Sequence, residues 1–324
     1  MTDREFLLYV IENLGDYKRR CGGRGAAYFA KKSPDEDYKV IKRTYKEIPP
    51  DYEQIFDDYC KEMEYFASLN YNVPHFYAWT KMPILNHKTG MFNKEYFVLQ
   101  ERVKGRELFF SYLKDIWPYC KSFCSRDEFI NAVMEPDKNT KLYKKLLQVY
   151  SDDFVNMNTR LLEFPESGLE QFLVQTYNMY VDASFSMPDI YPSNVFITKD
   201  KISLIDNHLD NRELHNNLSK SFCDNSYVTG LVWLFFFNGF VTNPNMFISE
   251  TEDEEVNKVL IKNMNKVKKV CKPAMQRIIR CANRNIDSLF ATDKKLFYRN
   301  FQMVSEILSK EDATEIFNDI QMTF

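Results

Sequence analysis

Hydrophobic positions along this chain alternate between two periods. Near the start, Phe6, Leu7, Val10, Ile11 and Leu14 fall three or four residues apart, the spacing of one helix face. The same spacing returns in Asp51–Leu69 (Ile55, Tyr59, Met63, Phe66, Leu69), in Leu169–Val181 and in Val256–Leu289, and each predicts a helix. Between the first two helices, Ala26–Ala30 and Tyr38–Lys42 read as strands. Tyr96–Leu99 is a further strand that runs through Gln100 into a connector ending at Gly105. Later, the apolar runs Val195–Ile197 and Ile202–Ile205 flank the polar Thr198–Lys201, which predicts a β-hairpin. The apolar stretch Val228–Val241 predicts a buried helix, because it contains Asn238 and Gly239 and is shorter than the roughly 20 residues of a membrane span.

The hairpin gives the flanking polar residues a chemical meaning. Antiparallel pairing brings the start of one strand beside the end of the other. Asn194 and Asp206 are therefore expected side by side, with Asp189 one loop away. An amide oxygen and a carboxylate that converge suit a hard cation such as Mg²⁺. A further carboxylate nearby can orient or deprotonate a hydroxyl. Metal, positioned acceptor and little covalent chemistry are what phosphoryl transfer requires.

Two earlier segments bear on the same chemistry. Three of the 9 glycines, Gly22, Gly23 and Gly25, fall within four residues ahead of the Ala26–Ala30 strand. A glycine turn between strands lets backbone N–H groups approach phosphate oxygens, or it makes a flexible hairpin. Lys42 closes an apolar run, and strand alternation puts it on the opposite face from Lys39.

Charge and composition narrow the functional classes. A net charge of −3 over 324 residues argues against wholesale nucleic-acid binding, and the length suffices for two lobes with their own cores. The 7 cysteines are odd in number and form no Cys-x-x-Cys pair, so free thiols in a reducing compartment are expected. Asp3 and Glu5 among the first residues argue against a secretory signal, and a soluble intracellular protein is expected. Lys138, Lys141, Lys144 and Lys145 form a basic cluster that reads as a solvated helix face or as a site for a polyanion such as an inositol phosphate.

Asp189-Ile190-Tyr191-Pro192-Ser193-Asn194, followed by a hairpin and Asp206, resembles the protein-kinase superfamily, whose catalytic loop reads Asp-Leu-Lys-Pro-x-Asn. The likeness spans roughly residues 15–290 in order: glycine turn, lysine strand, glutamate helix, connector, catalytic loop and metal-binding Asp. It implies an α+β, bilobal fold with a β-rich small lobe (1–103) and a larger helical lobe (104–324), with MgATP as cofactor. Carried over residue by residue, the resemblance implies that Lys42 and Glu62 hold the phosphates, with Glu64 the competitor of Glu62. Gly22, Gly23 and Gly25 would cover them. Gln100, Glu101, Arg102 and Val103 would meet adenine, Asp189 would serve the acceptor hydroxyl, and Asn194 and Asp206 would bind metal. Arg106-Glu107-Leu108 matches the start of the next helix, and about 114–168 is an insertion.

The departures shape the expected function. Met187-Pro188 stands where His-Arg usually precedes the catalytic Asp, and Tyr191 replaces the loop lysine, with Arg212 or His208 as substitutes. Asp206-Asn207-His208 replaces Asp-Phe-Gly, and Ala-Pro-Glu is absent. The resemblance implies an ATP-dependent phosphotransferase acting on a protein hydroxyl, similar to divergent kinases among secreted effectors. Two alternatives stay open: a small-molecule kinase resembling aminoglycoside or choline phosphotransferases, and a pseudokinase that binds nucleotide or a partner without turnover.

Overall fold

In the computed structural model of the chain, five strands pair antiparallel: β1 (Lys18–Cys21), β2 (Gly25–Ala30), β3 (Lys39–Thr44), β4 (Phe76–Asn86) and β5 (Met91–Glu101), in the order β1-β2-β3-β5-β4. The structure describes residues 1–21, 25–44, 50–86, 90–107, 116–135, 140–190, 194–209, 227, 230–231, 254–286, 311 and 314. The described elements make an α+β protein with seven α-helices.

Helix α1 (Asp3–Glu12) starts at a capping box in which Thr2 Oγ1 accepts from the Glu5 N–H and Glu5 accepts from the Thr2 N–H. Its Phe6, Leu7, Val10 and Ile11 pack with Ala26, Tyr28, Ala30, Ile41, Phe97 and Leu99 of the sheet. Each such side chain contributes about 1.5–3 kcal/mol on burial. Helix α2 (Pro50–Ser68) buries Phe56, Tyr59, Cys60, Met63, Phe66 and Ala67, a face turned slightly from the one expected. Leu69 lies past the helix end and is exposed, where Asn70 (φ 59°) takes the left-handed conformation common after helices.

The chain divides into two compact units. The first takes Met1–Lys104 together with Asn178–Pro188 and Ser203–Leu218. Besides the sheet, α1 and α2, it holds a ribbon of β7 (Ser186–Pro188) and β10 (Asn207–Leu209), paired Pro188 to Asn207, Met187 to His208 and Ser186 to Leu209.

The second unit takes Gly105–Tyr177, Asp189–Ile202 and Ser219–Phe324. Here Arg106–Glu107 does not begin a helix, contrary to expectation. It forms a short strand, β6, that pairs with Ile197 and Phe196 of β8 (Val195–Ile197). Gly105 permits this, since its φ is +123° and a Cβ there would lie 2.8 Å from the Ile197 carbonyl oxygen. After β8, the Thr198 N–H donates to the Lys201 oxygen at 2.9 Å, which closes the expected turn before β9 (Ile202–Leu204).

The stretch expected to be an insertion is part of this unit's core. It forms α3 (Trp117–Cys120), α4 (Arg126–Met134) and α5 (Thr140–Glu163), followed by α6 (Glu166–Asp182). Leu146, Leu147, Tyr150, Met157 and Leu161 of α5 are buried, as are Ala274, Met275, Ile278 and Ile279 of α7 (Glu254–Asn285). The Arg277 guanidinium of α7 donates to the carbonyls of Leu161, Leu162 and Phe164 at 2.5 Å each, satisfying acceptors that the end of α5 leaves open. Among the described residues, no helix is long and apolar enough to cross a membrane. Most of the predicted Val228–Val241 helix lies outside the described residues.

Candidate functional site

Strand alternation sorts the two lysines of β3 as the pattern predicts. Lys39 points to the α1 face, where its ammonium donates to Asp3 at 2.8 Å and lies 4.1 Å from the centre of the Tyr77 ring. Lys42 points the other way and donates to Asp206 Oδ1 at 2.9 Å and to the Ile205 carbonyl at 2.6 Å. Lys42 and Asp206 are 164 residues apart in sequence and are brought together within the first unit. Both side chains keep access to solvent, at 28% and 45% exposure.

Glu62 does not make the expected pair with Lys42. Its carboxylate accepts from the Ser184 N–H at 2.5 Å, from the Phe185 N–H at 3.1 Å and from Ser186 Oγ at 2.7 Å. These donors follow the end of α6, where backbone N–H groups have no helical acceptor, and an ionised carboxylate is the strongest one to hand. Glu64, the rival, is taken by His75 Nδ1 (3.2 Å) and the Phe76 N–H (2.8 Å).

Tyr59 and Met63, which the sequence marks only as apolar helix positions, also belong to this region. Tyr59 Oη donates to the Asn207 carbonyl at 3.1 Å, and Asn207 Nδ2 lies 3.2 Å from Met63 Sδ. Burial, and after it the negative charge of Asp206, pushes the Tyr59 phenol well above its ordinary pKa, so the hydroxyl stays a donor. Pro188 pairs with Asn207 at one end of the β7–β10 ribbon, and Asp206 is the residue directly before Asn207.

In the second unit, Asn194 Nδ2 donates to Asp189 Oδ2 at 2.7 Å and to the Asp189 carbonyl at 3.3 Å. The two functional candidates of the second unit are thus joined directly to each other. With its nitrogen committed, the Asn194 side chain has its oxygen left as a ligand atom. Asn194 and Asp206, expected as neighbours, belong to different units.

The residues expected to meet adenine lie along the end of β5. Gln100 pairs across the sheet with Val40, two residues from Lys42, so it shares the Lys42 face. It is 3% exposed, and its Oε1 has no hydrogen-bond partner. A buried acceptor without a donor is costly, and a ligand donor on this face would relieve it. The Glu101 N–H is taken by the His75 carbonyl at 2.8 Å. The Arg102 guanidinium lies 5.9 Å from the Phe29 ring centre and 5.7 Å from that of Tyr38, and Val103 follows in non-strand connector.

Gly25 has a structural reason of its own. A Cβ there would lie 2.2 Å from the Arg43 carbonyl oxygen, so β3 itself excludes any larger residue. Gly22, Gly23, Tyr191, Arg212 and Lys138 lie outside the described residues. His208 sits in β10, and Lys145 of the basic cluster lies 3.8 Å over the Phe123 ring.

The donor chemistry at Asp206 fits a divalent ion: a half-exposed carboxylate with one oxygen engaged only by an ammonium that a phosphate can claim. Glu166, Glu170 and Cys281 also approach within 4.8 Å of one another, but Arg284 bridges both carboxylates and would compete with a cation. Set against known proteins, the chain matches no protein-family model and no curated protein.

Proposed function

We propose that this chain is an ATP-dependent phosphotransferase that moves the γ-phosphoryl group of MgATP to a hydroxyl, with a protein hydroxyl as the preferred acceptor. On this reading the fold is protein-kinase-like, with the five-stranded sheet and α2 as its small lobe. The observation that carries the reading is the Lys42–Asp206 pair, which unites a strand lysine and a post-hairpin aspartate from opposite halves of the chain. An ion pair with this much exposure contributes about 0–1 kcal/mol, so it yields readily to a better ligand for each partner. Lys42 would bind phosphate oxygens, and Asp206 and Asn194 would hold the metal. The metal would neutralise charge on the phosphates. Asp189, held by Asn194 Nδ2, would orient the acceptor hydroxyl and take its proton.

Replacement of Asp206 by Ala tests the reading. The expected outcome is loss of MgATP-dependent thermal stabilisation and of all turnover, whereas unchanged ATP hydrolysis or autophosphorylation refutes the metal role. Asp189→Ala should retain nucleotide binding and lose transfer. Labelled γ-phosphate offered to proteins and to small alcohols separates the acceptor classes, and transfer to neither overturns the enzymatic reading.

A further inference from the structure

We propose that Glu62 is a positioning residue that sets the place of Asp206 through the β7–β10 ribbon, and not by pairing with Lys42. The role assigned to Asp206 rests on the phosphotransferase reading; the mechanical link does not.

The ribbon cannot hold itself. Each strand has three residues, and two short strands alone are marginal in water. Its position is therefore set by what grips it, and most of the grip comes from one face of α2. Tyr59, Glu62 and Met63 are spaced i, i+3, i+4 and project together. Tyr59 bonds the Asn207 carbonyl, Met63 takes the Asn207 amide, and Glu62 gathers Ser184, Phe185 and Ser186 at the entry to β7. Tyr180 adds a bond to the Pro188 carbonyl at 2.8 Å. The two strands are thus held separately, Tyr59 and Met63 on β10 and Glu62 on β7.

Removing the Glu62 carboxylate frees two N–H groups and a hydroxyl at once. The entry to β7 loses its acceptor, and the register that fixes Asn207 opposite Pro188 loses its support. Asp206 is the residue directly before Asn207. A lysine-pairing role for Glu62 would instead act on the phosphates through the Lys42 charge.

The two roles separate in a titration of Mg²⁺ against the ATP-induced rise in Tm of the full chain. Glu62→Ala should raise the Mg²⁺ needed for half of that rise on the order of tenfold, the usual effect of losing a group that supports a metal ligand. Metal-free ATP binding should be unchanged. Glu62→Gln should recover most of the loss, since its amide oxygen still accepts from backbone N–H groups. Ser186→Ala should give a smaller shift of the same kind, and adding it to Glu62→Ala should shift the midpoint no further.

Equal damage from Glu62→Gln and Glu62→Ala, with metal-free ATP binding lost in both, overturns the proposal, as does an unchanged Mg²⁺ midpoint. If Glu62→Ala does not fold, Glu62→Gln and Ser186→Ala still decide it. A wild type that binds no MgATP sinks the phosphotransferase reading alone. Urea unfolding of Glu62→Ala, Asp206→Asn and the double variant then tests the link, with strictly additive changes overturning it and coupling supporting it.

Discussion

On one face of the five-stranded sheet, Ala26, Tyr28, Ala30, Ile41, Phe97 and Leu99 close against α1, all buried. On the other, the same strands present Ala27, Phe29, Val40, Lys42, Val98 and Gln100, of which Ala27, Phe29 and Lys42 keep solvent access. Helix α2 covers the β4–β5 side of that face, with Phe56 4.9 Å from Tyr96 and Tyr59 6.0 Å from Phe76. The β2–β3 side is left more open. A helix from the chain's own start saturates one face with apolar packing, and the candidate chemistry stands on the face that packing leaves incomplete. Apolar packing and the proposed chemistry thus fall on opposite sides of single strands, and substitutions one residue apart should report on different properties.

The largest effect should come from the closed face. Phe97 is fully buried in the α1 cluster, and Phe97→Ala should cost about 3–5 kcal/mol in urea unfolding. Nucleotide affinity should stay unchanged wherever the variant remains folded; a specific loss of ATP binding would break the comparison. A more deeply buried charged pair on this face, Arg43 with Glu95, comes next. Glu95 is 5% exposed and holds the guanidinium through two hydrogen bonds, one of 2.8 Å from Nη2, which raises the Arg43 pKa above its ordinary value. Glu95→Ala strands that cation among Tyr28 and its neighbours and should cost about 3 kcal/mol.

Much of this division was readable in the chain, and the reason is geometric. A period of two assigns faces without any knowledge of partners, so Lys39 and Lys42 separate on parity alone. The hairpin after Asn194 follows from two apolar runs and a polar turn, and the helices follow from their spacing. What could not be read is which distant group meets which. Glu62 looks like any helix carboxylate, because its donors lie more than 120 residues away in a segment whose own pattern is silent. Gly25 invites a ligand explanation until the Arg43 carbonyl appears against it. The two-residue strand at Arg106 is too short for any periodicity, and its pairing depends on a positive φ at Gly105.

A third test uses the phenols on the Lys42 face. Burial, with the Glu53 carboxylate adding to it, pushes the Tyr96 phenol up to about 12 from its ordinary 10.0, and Tyr59 rises for the reasons given above. A group whose folded pKa is raised contributes stability that is complete below its unfolded value and is lost as pH climbs through the folded one. Tm should therefore be flat as far as these groups are concerned below about pH 10, then fall between 10 and 12. Tyr96→Phe should flatten part of that fall. An unchanged alkaline slope in Tyr96→Phe would show that this phenol is not held neutral by the fold.

The smallest change in stability should be the most informative, because it compares one residue type on both faces of one strand. Lys39→Met removes a salt bridge to Asp3 and a cation–π contact with Tyr77, each of the 0–1 kcal/mol class at such exposure. Lys42→Met removes the bonds to Asp206 and Ile205, of similar size. Both should shift the free energy of unfolding by no more than about 2 kcal/mol. Isothermal titration with ATP should then separate them. Lys42→Met should lose most of the affinity, because on the proposed reading the phosphates of the ligand take this ammonium over from Asp206. Lys39→Met should bind as the wild type does. If the two lysines affect nucleotide binding equally, the faces differ only in packing, and the open one has no claim to the chemistry.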